Sequence, residues 1–166
     1  VFFDSPVGLL EIEADAGGLR RLSFCTRRTR RARRAPPAPA AAAMEERVAR
    51  ELRRYFEDSS WRFRLPLNLA GASRFQRRVW RTLSATGAGQ VLTYGGLAAR
   101  LGTHPRAVGG ACRSNPLPIV IPCHRVIAKS GDLRGYTGPT RRRGLAVKAW
   151  LLRHEGAEAG FSAQKG

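Results

Sequence analysis

The spacing of apolar residues changes partway along this chain, and that change decides what it can fold into. Up to Phe24 the apolar positions alternate as on a pleated strand: Leu10, Ile12 and Ala14 share one face, and Leu19, Leu22 and Phe24 follow the turn pair Gly17-Gly18. From Glu45 onward they recur three and four apart, with Val48, Leu52, Tyr55 and Phe56 on one helical face. Strands followed by helices give an α+β protein rather than an alternating parallel sheet. The first segment reads as a β-hairpin or meander with a helix over Glu45–Glu57 packed on it.

Between the two patterns, Thr26 to Met44 carries six arginines, a Pro-Pro pair and no apolar periodicity, which predicts a flexible basic linker at about 26–44. Trp61, Phe63, Leu65 and Leu67 then alternate with Arg62, Arg64 and Pro66, as a strand or extended connector would. Gly71 marks a boundary, giving an N-terminal α/β domain over 1–70 and a mainly helical C-terminal domain over 71–166.

In the second domain Ser73 and Gln76 form a capping box, and the helix they open presents Phe75, Val79, Trp80 and Leu83 before Gly87 and Gly89. A short helix after Thr93 carries Leu97, Ala98 and Leu101 and stops at Gly102. A second runs from Pro105 to Arg113 with Thr103 as its cap, so the two form a helix-turn-helix pattern. Ala107, Gly109, Gly110 and Ala111 make that second helix small-sided. Glycine there costs about 1 kcal/mol relative to alanine, so something must approach the backbone: the protein's own core or DNA. Ile119-Val120-Ile121 reads as a strand after Asn115-Pro116-Leu117-Pro118. Gly144–His154 reads as a helix closed by Glu155-Gly156, with Leu145, Ala149 and Leu152 inward.

The chain is long enough to bury one full core without disulfides, and three cysteines in no paired spacing argue against a disulfide framework or a four-cysteine zinc site. The histidines His104, His124 and His154 add no metal-ligand spacing, so no metal is expected. No segment reaches the ~20 apolar residues of a membrane span, and the start lacks a basic leader with an apolar run, so the expectation is a soluble protein in a reducing, cytoplasmic compartment. Thirty Lys plus Arg against twelve Asp plus Glu give a net charge of +18, which favours a polyanionic partner such as nucleic acid over a membrane surface.

The chemistry concentrates in Ile121-Pro122-Cys123-His124-Arg125-Val126. A proline before a cysteine ends a ladder and presents the thiol at a strand end, beside an imidazole that can serve as its base. A packed, inert thiol is the competing reading of those residues alone.

Pro122-Cys123-His124-Arg125, preceded in order by Arg106-Ala107-Val108-Gly109 and Asn115-Pro116, resembles the signature of the O6-alkylguanine-DNA alkyltransferases, the methylated-DNA-protein-cysteine methyltransferase family. The resemblance runs from Phe75 to Gly156, and Ser5-Pro6-Val7-Gly8 is more weakly similar to the family's N-terminal domain. It implies a suicide DNA-repair protein, active as a monomer and without cofactor. Its substrate would be double-stranded DNA bearing O6-alkylguanine, with O4-alkylthymine as a further candidate and the nucleoid, or the nucleus of a eukaryote, as its place of work. By position Cys123 is the nucleophile, His124 its base through a water, Glu155 the partner of the histidine, and Asn115 the brace between recognition helix and active site. Tyr94, Pro118, Val126, Tyr136 and Thr137 line the guanine pocket. Arg106 fills the gap left by the flipped base, and Ala107, Tyr94, Gly95, Gln76, Lys129 and Arg113 face DNA. The chain departs from the family pattern in being shorter between Leu101 and Arg106, and in a longer, more basic Gly138–Gly144 segment.

Two other classes compete. A non-enzymatic alkyltransferase-like protein lacks the cysteine, which is present here. A helix-turn-helix regulator needs long side chains for major-groove readout, which the glycine-rich second helix does not offer.

Overall fold

The computed structural model describes residues 1–25, 36–133, 135–136 and 141–157, and its chain divides into two compact units, Val1–Ala70 and Gly71–Gly166. In the first, strands β1 (Phe2–Ser5), β2 (Gly8–Asp15) and β3 (Gly18–Phe24) form an antiparallel meander in sequence order. Strand β1 was not legible in the sequence because it is short and lacks alternation. Leu19 and Leu22 sit three apart, yet both are buried. An irregularity between the pairs Glu13↔Arg21 and Ala14↔Leu19 leaves Arg20 unpaired and restores the inward face. Gly18 has φ +127°, and a Cβ there would lie 2.2 Å from the Pro66 carbonyl oxygen, so the 61–68 connector can run against β3 only past glycine. That connector is extended, as its alternation predicted, and bridges Leu67 to Leu19.

Helix α1 (Pro39–Glu57) covers β2 and β3 with Val48, Leu52 and Tyr55. It starts six residues before the expected Glu45. The linker therefore does not extend to Met44: Pro39 occupies the first turn, where it needs no N–H, and Ala40–Ala43 are the strongest helix formers. Of the remainder, Pro36, Pro37 and Ala38 have no regular structure, and 26–35 lie outside the described residues. Glu45, 7% exposed, faces inward and accepts from the Val1 ammonium at 2.8 Å.

In the second unit, α2 (Arg74–Ala85) begins with the full capping box: the Ser73 hydroxyl accepts from the Gln76 N–H, and the Gln76 side chain accepts from the Ser73 N–H. A two-residue strand β4 (Leu92–Thr93) leads into α3 (Tyr94–Leu101), and α4 (Pro105–Arg113) follows. Gly102, at φ 64°, reverses the chain between α3 and α4, and the Thr103 N–H bonds Ala98 O at 2.9 Å. Thr103 thus closes α3 rather than capping α4. With Pro105 at the first helical position the cap falls on His104, whose side chain makes no capping bond.

The Ile119–Ile121 strand is corrected. Pro116, Pro118 and Pro122 remove three donors, and Ile119 adopts φ 75°, so the segment folds as a tight buried loop in which the Ile121 N–H bonds Leu117 O at 2.8 Å. The strand lies instead after the cysteine, as β5 (Val126–Ile127), parallel to β4 with Leu92↔Val126 and Thr93↔Ile127. Helix α5 (Arg141–His154) starts three residues earlier than its apolar pattern and packs Ala149 and Leu152 with Ile127 and Leu133. No described helix is long and apolar enough to cross a membrane.

Candidate active site

Cys123 opens a single 3-10 turn, Cys123–Arg125, between the proline-ended loop and β5, and is 4% exposed. The loop is held by Asn115, which is buried just past α4. Its Nδ2 donates to Ile121 O at 2.9 Å and to Cys123 Sγ at 3.1 Å, and its Oδ1 accepts from the Leu117 N–H at 2.9 Å. One side chain thus ties the end of α4 to the thiol. Ile119 carries the strain of this loop. A β-branched residue in the left-handed region costs about 1–3 kcal/mol, opposed here by burying its side chain, 1% exposed.

His124 and Glu155 are both fully buried at their side chains, with Nε2 and Oε1 at 2.8 Å. The same carboxylate accepts from Arg125 Nε at 2.8 Å and Nη2 at 2.9 Å, while Arg125 Nη1 donates to the Thr86 carbonyl. Burial alone would raise the Glu155 pKa, but the hydrogen bonds and charges of His124 and Arg125 outweigh it and hold the carboxyl well below the usual range. Burial dominates at His124 and lowers its pKa against the opposing pull of Glu155, so the imidazole is neutral near pH 7. With Nε2–H donated to the carboxylate, Nδ1 carries a lone pair, and it meets no hydrogen-bonding group among the described residues. A neutral imidazole with a free nitrogen in a buried site is a competent base.

These shifts set a pH dependence. A pKa below its unfolded value contributes stability that is complete above the unfolded value and is lost as pH falls. Stability should therefore begin to fall below about pH 6.5 through His124 and fall again below about 4.3 through Glu155. Melting temperature measured from pH 8 to 4 checks this; a Tm that climbs as pH drops through 6.5 would contradict the buried neutral imidazole.

The other expected site residues fall at stated places. Tyr94, at the start of α3, is half-buried, and burial raises its hydroxyl to about 12. Tyr136 meets the His124 ring edge-on at 6.2 Å. Pro118 and Val126 are buried, and Thr137 lies outside the described residues. Arg106, Gly95, Arg113 and Lys129 are exposed, and Ala107 is half-buried. The Gln76 N–H is taken by the Ser73 cap, and its Nε2 donates to Ser114 Oγ at 2.9 Å. On α4, a Cβ at Gly110 would meet no heavy atom within 4 Å and one at Gly109 only Arg113 at 3.7 Å, so core packing does not require either glycine.

Three residues escaped the sequence reading. Arg125, read only as part of the motif, is the second cation on Glu155. Lys148 is fully buried, donates to Val126 O at 2.6 Å and lies 5.8 Å from the Tyr94 ring; burial pulls its pKa down to about 8. Its spacing of four from Leu152 and seven from Glu155 was the available signal. Cys112, in the last turn of α4, is in hydrogen-bonding contact with Cys123.

Residues 74–157 match the family model described as 6-O-methylguanine DNA methyltransferase, DNA binding domain, and residues 1–69 match its ribonuclease-like domain. The chain belongs to the 6-O-methylguanine DNA methyltransferase family. The methylated-DNA–protein-cysteine methyltransferase of Salmonella typhimurium is 53% identical over 88 residues, 52% of this chain and 48% of that protein. The chain thus matches about half the length of this relative. The Homo sapiens methyltransferase is 37% identical over 95% of this chain and 80% of its own. Among solved structures, Mycobacterium tuberculosis O6-methylguanine methyltransferase superposes with a TM-score of 0.75 at 33% identity, covering 95% of this chain and 92% of its own. The same organism's OGT in complex with DNA gives 0.74 at 33% identity over 96% and 93%. The methyltransferase family fold is thus shared along nearly the whole chain, and its DNA-binding domain model ends just past Glu155.

Proposed function

We propose that this chain repairs DNA by direct reversal, moving an alkyl group from O6 of guanine to Cys123 once per protein molecule. The observation that carries the reading is the buried Cys123 thiol, braced by Asn115, beside a neutral His124 whose Nε2 is fixed by Glu155 and whose Nδ1 meets no hydrogen-bonding group among the described residues. Burial raises the Cys123 pKa, so the thiol needs that base: His124, through a water, takes the proton as sulfur attacks. The carbon–O6 bond breaks, its electron pair goes to guanine, and the Cys123 thioether remains. An unactivated thioether does not readily expel its thiolate, so the alkyl group stays on sulfur and the protein is consumed.

DNA as partner is supported by the net charge of +18 and by the Mycobacterium tuberculosis relative solved in complex with DNA. Inside a duplex O6 is out of reach of an in-line sulfur, so the guanine is flipped into a pocket of Tyr94, Pro118, Val126 and Tyr136. The open small-residue face of α4, with Ala107 and the two glycines, suits a minor-groove approach, and exposed Arg106 fills the vacated stack. Arg113, Lys129 and Gly95 lie toward phosphates, so affinity is salt-dependent and weakly sequence-specific. The protein acts as a monomer, and O4-alkylthymine is a second substrate to be tried.

Incubation with duplex DNA carrying an isotopically labelled O6-methylguanine should place one label per protein on the Cys123 peptide by mass spectrometry. Label on Cys25 or Cys112, or none, would sink the assignment. Arg106→Ala is expected to slow repair in duplex DNA by roughly tenfold or more, and transfer from the free alkylated base much less. Equal losses on both substrates would count against base flipping.

A further inference from the structure

Cys112 and Asn115 occupy the same side of the end of α4, three residues apart, with the Asn115 N–H on Cys112 O at 3.3 Å. Asn115 Nδ2 in turn reaches Cys123 Sγ at 3.1 Å. The two thiols meet there, with Lys148 and Tyr94 beside them. They differ in access: Cys112 is half-buried, whereas Cys123 is 4% exposed. They also differ in charge. The hydrogen bond from Cys123, with Lys148 and Arg113 nearby, lowers the Cys112 pKa, while burial raises that of Cys123.

We propose that Cys112 and Cys123 form a reversible disulfide when the protein meets a peroxide, and that Cys112 is the site first modified. The Cys112 thiolate attacks one peroxide oxygen, the O–O bond breaks, and the other oxygen leaves as water once protonated. The resulting sulfenic acid sits against Cys123. The Cys123 sulfur attacks it, its proton passes to the departing hydroxyl, and a second water leaves. The peroxide gains two electrons and each sulfur gives up one. The bond closes S–S to about 2.05 Å. The consequence is protective: a half-buried thiol intercepts the oxidant, and the single-use acceptor is stored as a disulfide that a dithiol reductant reopens, instead of passing to irreversible sulfinic acid.

The test treats the protein with a small excess of hydrogen peroxide, quenches, and maps peptides without reduction. The expected result is a linked Cys112–Cys123 peptide pair, an intact mass lower by two hydrogens, and loss of alkyl transfer that dithiothreitol restores nearly in full. Cys112→Ser should transfer the alkyl group when untreated and lose that activity to peroxide more slowly than the wild type, because the remaining thiol, Cys123, is buried, but without recovery in dithiothreitol; Cys112→Ala serves as a second variant. Sulfinic acid on Cys123 with Cys112 free in the wild type, or recovery of Cys112→Ser by dithiothreitol equal to wild type, would overturn the proposal. Because the linked peptide is read by mass, it stands or falls separately from the methyl-transfer reading, which the untreated protein tests.

Discussion

Cys123→Ala is expected to abolish alkyl transfer to the limit of detection while leaving binding to duplex DNA within about twofold of wild type. The loss is total because the sulfur is both nucleophile and acceptor, so no other group can supply a slower version of the same step. Binding should survive because the proposed DNA contacts are arginines and helix ends away from the turn, and the substitution at residue 123 removes none of them. The variant should also stay folded. Asn115 Nδ2 keeps Ile121 O at 2.9 Å when the sulfur is gone, and the cavity left by one sulfur costs about 1 kcal/mol. Single-turnover transfer with labelled duplex, beside a salt titration of binding, checks both halves. Residual transfer in Cys123→Ala, or binding lost along with chemistry, would overturn the separation.

Glu155→Gln is expected to be costly twice. Glu155 is the shared acceptor of His124 Nε2 and two nitrogens of Arg125, with its side chain fully buried. Glutamine preserves the shape but leaves the Arg125 guanidinium, 10% exposed at its side chain, without a counter-charge, and breaking a buried pair in this way costs about 3–5 kcal/mol. The second cost is chemical. A carboxylate can only accept, so it fixes the proton on His124 Nε2 and the lone pair on Nδ1. An amide can donate to Nε2, which drives the proton to Nδ1 and removes the base; roughly 10²–10⁴ in rate is at stake in such a tautomer change. Calorimetry and single-turnover rates measured on folded protein separate the two. Replacing the pair by apolar residues, Arg125→Met with Glu155→Leu, should recover part of the stability and none of the rate. A Glu155→Gln protein with wild-type Tm and rate would show that the carboxylate neither balances Arg125 nor orients His124.

Helices are legible in this sequence where the signal is local. The Ser73–Gln76 box, Thr93 before α3, Gly102 at its end and Pro105 at the start of α4 each act within one turn, so each could be read from neighbouring residues. Elements are not legible where competing signals are of similar strength. Pro39–Met44 looked like more of the arginine-rich tether, but alanine propensity and a first-turn proline carried the helix back to Pro39. Ile119–Ile121 had the composition of a strand, and the three prolines around it left too few donors for a ladder, so burial produced a strained loop instead.

The same division runs through the site. Cys123 and His124 are neighbours in the chain, and a base beside a thiol was visible from the motif alone. Glu155 could be placed only through family resemblance, because nothing in residues 123–155 says that a carboxylate past the end of α5 returns to the imidazole. The sequence by itself determined the α+β order of elements, the helix-turn-helix, the positive charge and the presence of a proline-presented thiol, all consequences of period, capping and composition. Tertiary structure alone decided that Arg125 and His124 share one buried carboxylate, that Lys148 carries its charge to the Val126 carbonyl, and that Cys112 touches Cys123. The reason is the range of the forces: hydrogen-bonded turns are closed by residues a few positions apart, whereas desolvated charges and thiols acquire their properties from partners that only the packed core brings together.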